Sequence, residues 1–139
     1  MINLNYNSNT PLYMQIVDQT KQAIAKGLFK DGDKFPSVRD LSKTLMINQS
    51  TVSKAFKELD RLGLIESKPG VGTFIKIDQK KIEKNLGEFT DKLIEDFKEA
   101  IFLGLDKDEI IEIFEQVKRS LKWNLRQLIL VNPLIIGKS

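Results

Sequence analysis

Hydrophobic positions recur at helical spacing through most of the chain and bunch into two short strand-like runs near its middle. Leu12, Ile16, Ala23 and Ile24 form the first stripe, with Thr10-Pro11 reading as an N-cap followed by proline at the first helical position and Gly27 as the stop. This predicts a helix over about residues 11–26. Ser37 and Asp40 stand at capping-box spacing ahead of Val38, Leu41 and Leu45, predicting a short helix over about 38–44. Asn48 then suits an N-cap, and Val52, Ala55, Phe56, Leu59 and Leu62 recur on one side of a third helix over about 49–62.

Beyond Gly63, the runs Leu64-Ile65-Glu66-Ser67 and Thr73-Phe74-Ile75-Lys76-Ile77 flank a turn built of Lys68-Pro69-Gly70-Val71-Gly72. Helix, short helix, helix and β-hairpin in that order describe a winged helix-turn-helix. Asp78 can cap a long helix over about 79–103, whose Ile82, Leu86, Phe89, Leu93, Phe97 and Ala100 step by three and four like a coiled-coil seam. Gly104 ends it, and Asp106 with Glu109 opens another helix over about 107–127 carrying Ile110, Ile113, Phe114, Val117 and Leu121. The expected fold is mainly α with a small β-hairpin wing: an N-terminal winged helix-turn-helix over residues 1–77 and a C-terminal αα-hairpin over 78–139. Residues 128–139 are too apolar for a free tail and are expected to pack.

Composition narrows the chemistry. At 139 residues, 41% hydrophobic and 29% charged, the chain has the make-up of a globular protein of one domain or one small domain with an appendage. It has no cysteine and no histidine, which removes disulfides, thiolate and imidazole metal sites and the commonest nucleophile and general base. No Gly-rich phosphate loop is present and the carboxylates and lysines form no convincing catalytic set, so no enzyme activity, metal or cofactor is expected. Asp106, Asp108, Glu109 and Glu112 lack the spacing of a calcium loop and read as acidic residues suited to a helix start. The segment Met1 to Tyr6 lacks the marks of a signal peptide and no apolar run is long enough to span a membrane, so a cytoplasmic location without membrane contact is expected.

Charge points to a partner. Residues 1–77 carry 11 Lys/Arg against 7 Asp/Glu, whereas residues 78–139 carry 11 against 12. The basic excess lies with the winged helix, where an anionic ligand, double-stranded DNA first, is expected. On the third helix Ser50, Ser53, Lys54, Lys57 and Arg61 lie opposite the apolar side with Gln49 at its edge. Gln49 suits a bidentate adenine contact, and Ser50 and Ser53 can serve either base type. Arg39 suits guanine or phosphate, Ser37 and the amides beside it suit a cap or a phosphate, and Gly70 and Gly72 let the backbone of the wing come close to DNA.

From Pro11 to Ile75 the sequence resembles the N-terminal domain of the GntR family of bacterial transcription regulators. The resemblance is carried by Pro11-Leu12-Tyr13 with Gln15-Ile16, by Gly32 to Leu41, by Asn48 to Ala55, by Leu59 to Ile65 and by Gly70 to Phe74. It implies DNA contacts for Arg39 and for Gly72 and Thr73 of the wing, and Thr51 belongs to the same matching block as Gln49 and Ser50. Only 62 residues follow Ile77, which resembles the YtrA subfamily. That likeness implies a homodimeric repressor, often of its own operon and of adjacent ABC-transporter genes. In the hairpin, Ile82, Leu86, Phe89, Leu93 and Phe97 with Ile110, Phe114 and Val117 are the expected dimer contacts, because two helices alone close a core poorly. A pseudo-palindromic operator follows from two-fold symmetry. The sequence identifies no small-molecule effector, and the competing function is a protein-interaction module whose DNA affinity is nonspecific.

Overall fold

The chain runs α1 (Leu12–Ala25), β1 (Lys34–Phe35), α2 (Val38–Leu45), α3 (Gln49–Arg61), β2 (Ile65–Lys68), β3 (Gly72–Ile75), α4 (Gln79–Phe102) and α5 (Lys107–Ser120). The computed structural model describes residues 2–120. The end of the last expected helix, residues 121–127, and the apolar tail 128–139 lie outside the described residues.

Short polar side chains start four of the five helices, each by accepting a backbone amide that the first turn cannot satisfy. Ser37 Oγ accepts from Asp40 N at 3.0 Å, Asn48 Oδ1 from Ser50 N at 2.8 Å and Asp78 Oδ1 from Lys81 N at 3.2 Å. Asp106 and Glu109 form a reciprocal box, with each side chain accepting the other's amide at 2.9 Å. The start of α1 differs from expectation. Thr10 does not cap it; Pro11, extended at ψ 147°, is the N-cap, and the Thr10 carbonyl instead accepts from Gln15 Nε2 at 2.8 Å.

That glutamine belongs to a device invisible to periodicity. Asn3 and Asn5 each donate their amide to a glutamine Oε1, of Gln19 and Gln15 respectively, at 2.8 Å, and each accepts that glutamine's Nε2 at its own carbonyl. Four residues of helix rise about 6 Å and two residues of extended chain about 6.7 Å, so the two glutamines on α1 act as one side of a ladder. Ile2 and Leu4 are thereby laid against the core.

Ile16, Val17, Phe35, Val52, Leu59 and Ile75 are fully buried and join α1, α3 and the sheet. At about 1.5–3 kcal/mol for each large apolar side chain removed from water, this cluster dominates the stability of the winged helix. Phe35 holds Phe29 and Phe56 at 5.4 Å between ring centroids. It does so from β1, a strand absent from the sequence reading, which pairs antiparallel with β3 through Lys34↔Phe74 and Phe35↔Thr73. The sheet order is β1-β3-β2.

α3 ends at Gly63, where a positive φ of 80° permits Leu64 N to donate to Leu59 O at 3.0 Å. A Cβ at Gly63 would lie 2.9 Å from both the Asp78 carbonyl oxygen and Lys81 Cβ. Gly63→Ala is therefore expected to lower stability by about 2 kcal/mol, through strain and through displacement of the start of α4. Urea unfolding followed by far-ultraviolet circular dichroism measures this; a midpoint within error of the parent would mean that α4 is not held tightly against α3.

α4 and α5 follow one another as the two expected helices, joined by a turn at Gly104 with φ 99°, and α5 buries none of its residues in the single chain. Among the described residues, no helix is long and apolar enough to cross a membrane.

Candidate nucleic-acid interface

At about 100° per residue, the buried Val52, Ala55, Phe56 and Leu59 fix which way the other side chains of α3 point. Ser50, Lys54, Lys57 and Arg61 stand opposite the core, Gln49 and Ser53 lie on one flank, and Thr51 and Glu58 lie on the other. Periodicity treats the outward residues alike, but the structure divides them. Lys54 Nζ sits 4.1 Å above the ring of Tyr13 on α1, a cation–π contact that anchors its head to that side.

Arg61 is drawn away from the outward face. It donates from Nε and Nη2 to the two Glu58 oxygens at 3.0 and 2.6 Å, and from Nη1 to Asn85 Oδ1 of α4 at 3.2 Å. The Arg61 hydrogen bonds hold the Glu58 carboxyl below the usual carboxylate range, against partial burial that pushes it up, and the same contact raises the guanidinium. Because the folded Glu58 value is depressed, this pairing contributes in full at neutral pH and is lost only as pH falls through that lowered value.

The side chains of Gln49, Ser50, Ser53 and Lys57 have no hydrogen-bond or ionic partner among the described residues, and they stand at or near solvent at the start and middle of α3. Thr51 is half-buried on its flank. Arg39 on α2 is exposed, and among the described residues it forms no ion pair with Asp40 or Asp60; Asp60 is instead taken by Lys81 at 3.0 Å.

A groove of about 450 Å³ separates the N-terminus of α2 from the wing, between Lys34, Pro36, Ser37 and Asp40 on one side and Val71 and Gly72 on the other. Gly72 has φ 138°, and Gly70, with φ 73°, follows Pro69 in a turn closed by Val71 N donating to Lys68 O at 3.0 Å. Thr73 differs from the others: its side chain is 7% exposed and its hydroxyl lies 3.3 Å from that of Ser67. It builds the sheet, in register with Phe35 on one side and Ser67 on the other.

Two lysines that are not among the expected DNA contacts flank this surface. Lys34 is exposed on β1 at the groove, and Lys68 lies with Nζ 5.3 Å from the Phe74 ring centroid on the wing. The alternation of polar Lys34 and apolar Phe35 is the only trace of β1 in sequence, and two residues are too few to read.

The hairpin carries the second set of expected residues. Ile82, Leu86 and Ile110 are half-buried, whereas Phe89, Leu93, Phe97, Phe114 and Val117, together with Ile94, Ile101 and Ile113, are 45–64% exposed. Phe97 and Ile101 face Ile110 and Ile111 across a cleft of about 390 Å³. Among the described residues no cluster of acidic side chains is placed to hold a metal ion, and Glu112 pairs with Arg119 at 3.0 Å.

A helix-turn-helix with an unpartnered polar face on its second helix, and a wing beside the first, defines a winged-helix DNA-binding protein. Residues 12–75 match the family described as bacterial regulatory proteins, gntR family. The HTH-type transcriptional repressor YtrA of Bacillus subtilis is 36% identical over 124 residues, spanning 88% of this chain and 95% of that one. Among solved structures, a transcriptional antiterminator from Listeria monocytogenes superposes with a TM-score of 0.64 at 34% identity, covering 85% of this chain and 90% of that one. YtrA from Sulfolobus acidocaldarius, a GntR-family transcription factor, does so at 0.55 and 31%, covering 86% and 98%. The chain belongs to the GntR family and has the compact YtrA-like organisation; it is a DNA-binding transcriptional regulator, and its relatives are regulators rather than enzymes.

Proposed function

We propose that this protein is a homodimeric repressor that binds a pseudo-palindromic operator, acting in the cytoplasm on its own operon and on nearby transporter genes. In this reading residues 1–77 read DNA and residues 78–139 hold two copies together. The N-terminal half of α3 enters the major groove with Gln49, Ser50, Thr51 and Ser53 toward base edges and with Lys54 and Lys57 near phosphates. Arg39, Ser37 and the wing at Gly72 and Thr73 hold the flanking backbone or minor groove.

The observation that carries this reading is the set of unpartnered side chains on α3 and α2, Gln49, Ser50, Ser53, Lys57 and Arg39, raised on a rigid core. Dimerisation is supported by the apolar row on α4 and α5, which a monomer leaves in water. Repression is supported by the name of the Bacillus subtilis relative.

Titration of the purified protein against its own upstream DNA and a scrambled duplex, at two salt concentrations, tests this. Specific binding about 10³-fold tighter than nonspecific binding is expected. Equal and steeply salt-dependent binding to both duplexes would leave only phosphate attraction and favour the protein-interaction module.

A further inference from the structure

Asn85 is buried, at 8% exposed, near the start of a helix whose other polar residues, Gln79 apart, face water. It sits three residues after Ile82 and four before Phe89, in step with the apolar seam. Its Nδ2 donates to the Arg61 carbonyl at 2.8 Å, and its Oδ1 accepts from Arg61 Nη1 at 3.2 Å. One turn earlier, Lys81 Nζ donates to the Asp60 carbonyl at 3.2 Å and to Asp60 Oδ1 at 3.0 Å. Asp78 N donates to the Gly63 carbonyl at 2.8 Å, where the absent Cβ admits the backbone. The last carbonyls of a helix have no partner inside it; here Asn85 satisfies that of Arg61, and Lys81 adds a second donor to that of Asp60, which also accepts from Gly63 N at 3.0 Å. The recognition helix is thus bolted at its C-terminus to the helix that carries the apolar row.

We propose that Asn85, with Lys81, is a positioning residue that sets the distance and angle between the two recognition helices of the dimer, and so selects the half-site spacing of the operator. This rests on the dimeric reading above. Neither residue touches DNA in that arrangement; each acts through the carbonyls of Asp60 and Arg61. A joint made of a backbone hydrogen bond and several side-chain ones, those of Asn85 part-buried, transmits the direction of α4 to α3, whereas a flexible joint would let each winged helix find its own half-site. Each added base pair rotates one half-site by about 35° relative to the other, so a rigid joint makes binding sensitive to spacing.

The test uses full-length protein and three kinds of duplex: the upstream inverted repeat, the same repeat with one or two base pairs inserted or deleted at its centre, and a single half-site. The parent is expected to lose about 10-fold or more in affinity when the spacing changes by two base pairs. In Asn85→Ala that difference should shrink to under about threefold, with half-site affinity within about twofold of the parent and the dimer intact by sedimentation. Lys81→Met, at an exposed position where folding is not at risk, should flatten the profile in the same direction. An unchanged spacing profile in both variants overturns the inference, and so does an equal fall on half-site and full site, which would mean that Asn85 only supports α3. A parent that sediments as a monomer removes the dimeric reading itself, a result distinguishable from either.

Discussion

Replacing Leu93 and Phe97 together, by Leu93→Glu and Phe97→Glu, is expected to convert the protein to a monomer and to weaken operator binding by about 100-fold or more. These side chains lie one turn apart on α4 and are 51% and 45% exposed in the single chain, so neither is needed to close the core of the winged helix. In the proposed dimer both are covered, and a carboxylate forced into that contact without a partner loses its hydration at a cost of several kcal/mol. Operator affinity falls when dimerisation is lost, because a second half-site bound through a shared joint is captured at an effective concentration near millimolar. Sedimentation equilibrium and a mobility-shift titration read the two effects, and circular dichroism verifies that the helices persist. A variant that remains dimeric would mean that the copies meet through another face.

The elements of this fold that sequence specifies best are those decided within three or four residues. Ser37, Asn48, Asp78 and the Asp106–Glu109 pair each cap the helix expected of them, because a cap needs only a short polar side chain and the amide two or three positions ahead. β1 escapes because its two residues are a strand only by virtue of Phe74 and Thr73, some forty positions away. The docking of Asn3 and Asn5 on Gln19 and Gln15 escapes for the same reason, since no pattern within either segment announces the other.

The proposed recognition face was legible as a polar face but not in its division of labour. Periodicity puts Lys54 and Arg61 among the outward residues of α3, and only the approach of Tyr13 from α1 and Asn85 from α4 assigns them other partners. Asn85 left one trace, an amide in step with an apolar seam. Such a residue in a helix of this kind is a pointer to a buried polar contact, because an unsatisfied amide there costs more than the hydrogen bonds it forfeits in water.

Arg39→Ala combined with Gln49→Ala is expected to abolish the preference for the native operator while leaving the protein folded and dimeric. The two side chains stand on different helices and share no partner, so their effects should add. A bidentate contact is worth about 1–3 kcal/mol of discrimination, which makes the double replacement worth roughly 2–6 kcal/mol, or between about 30-fold and more than 10⁴-fold. Neither substitution opens a cavity, since Arg39 and Gln49 are exposed. Lys57→Ala supplies the contrast. A lysine on phosphate carries no sequence information, so its loss should weaken native and scrambled duplexes alike and reduce the slope of log affinity against log salt by about 0.9. If the double variant instead lowers affinity for both duplexes equally, Arg39 and Gln49 hold the backbone and the sequence is read elsewhere on α3. If none of the three replacements alters DNA binding, this face of α3 is not the one that meets the groove.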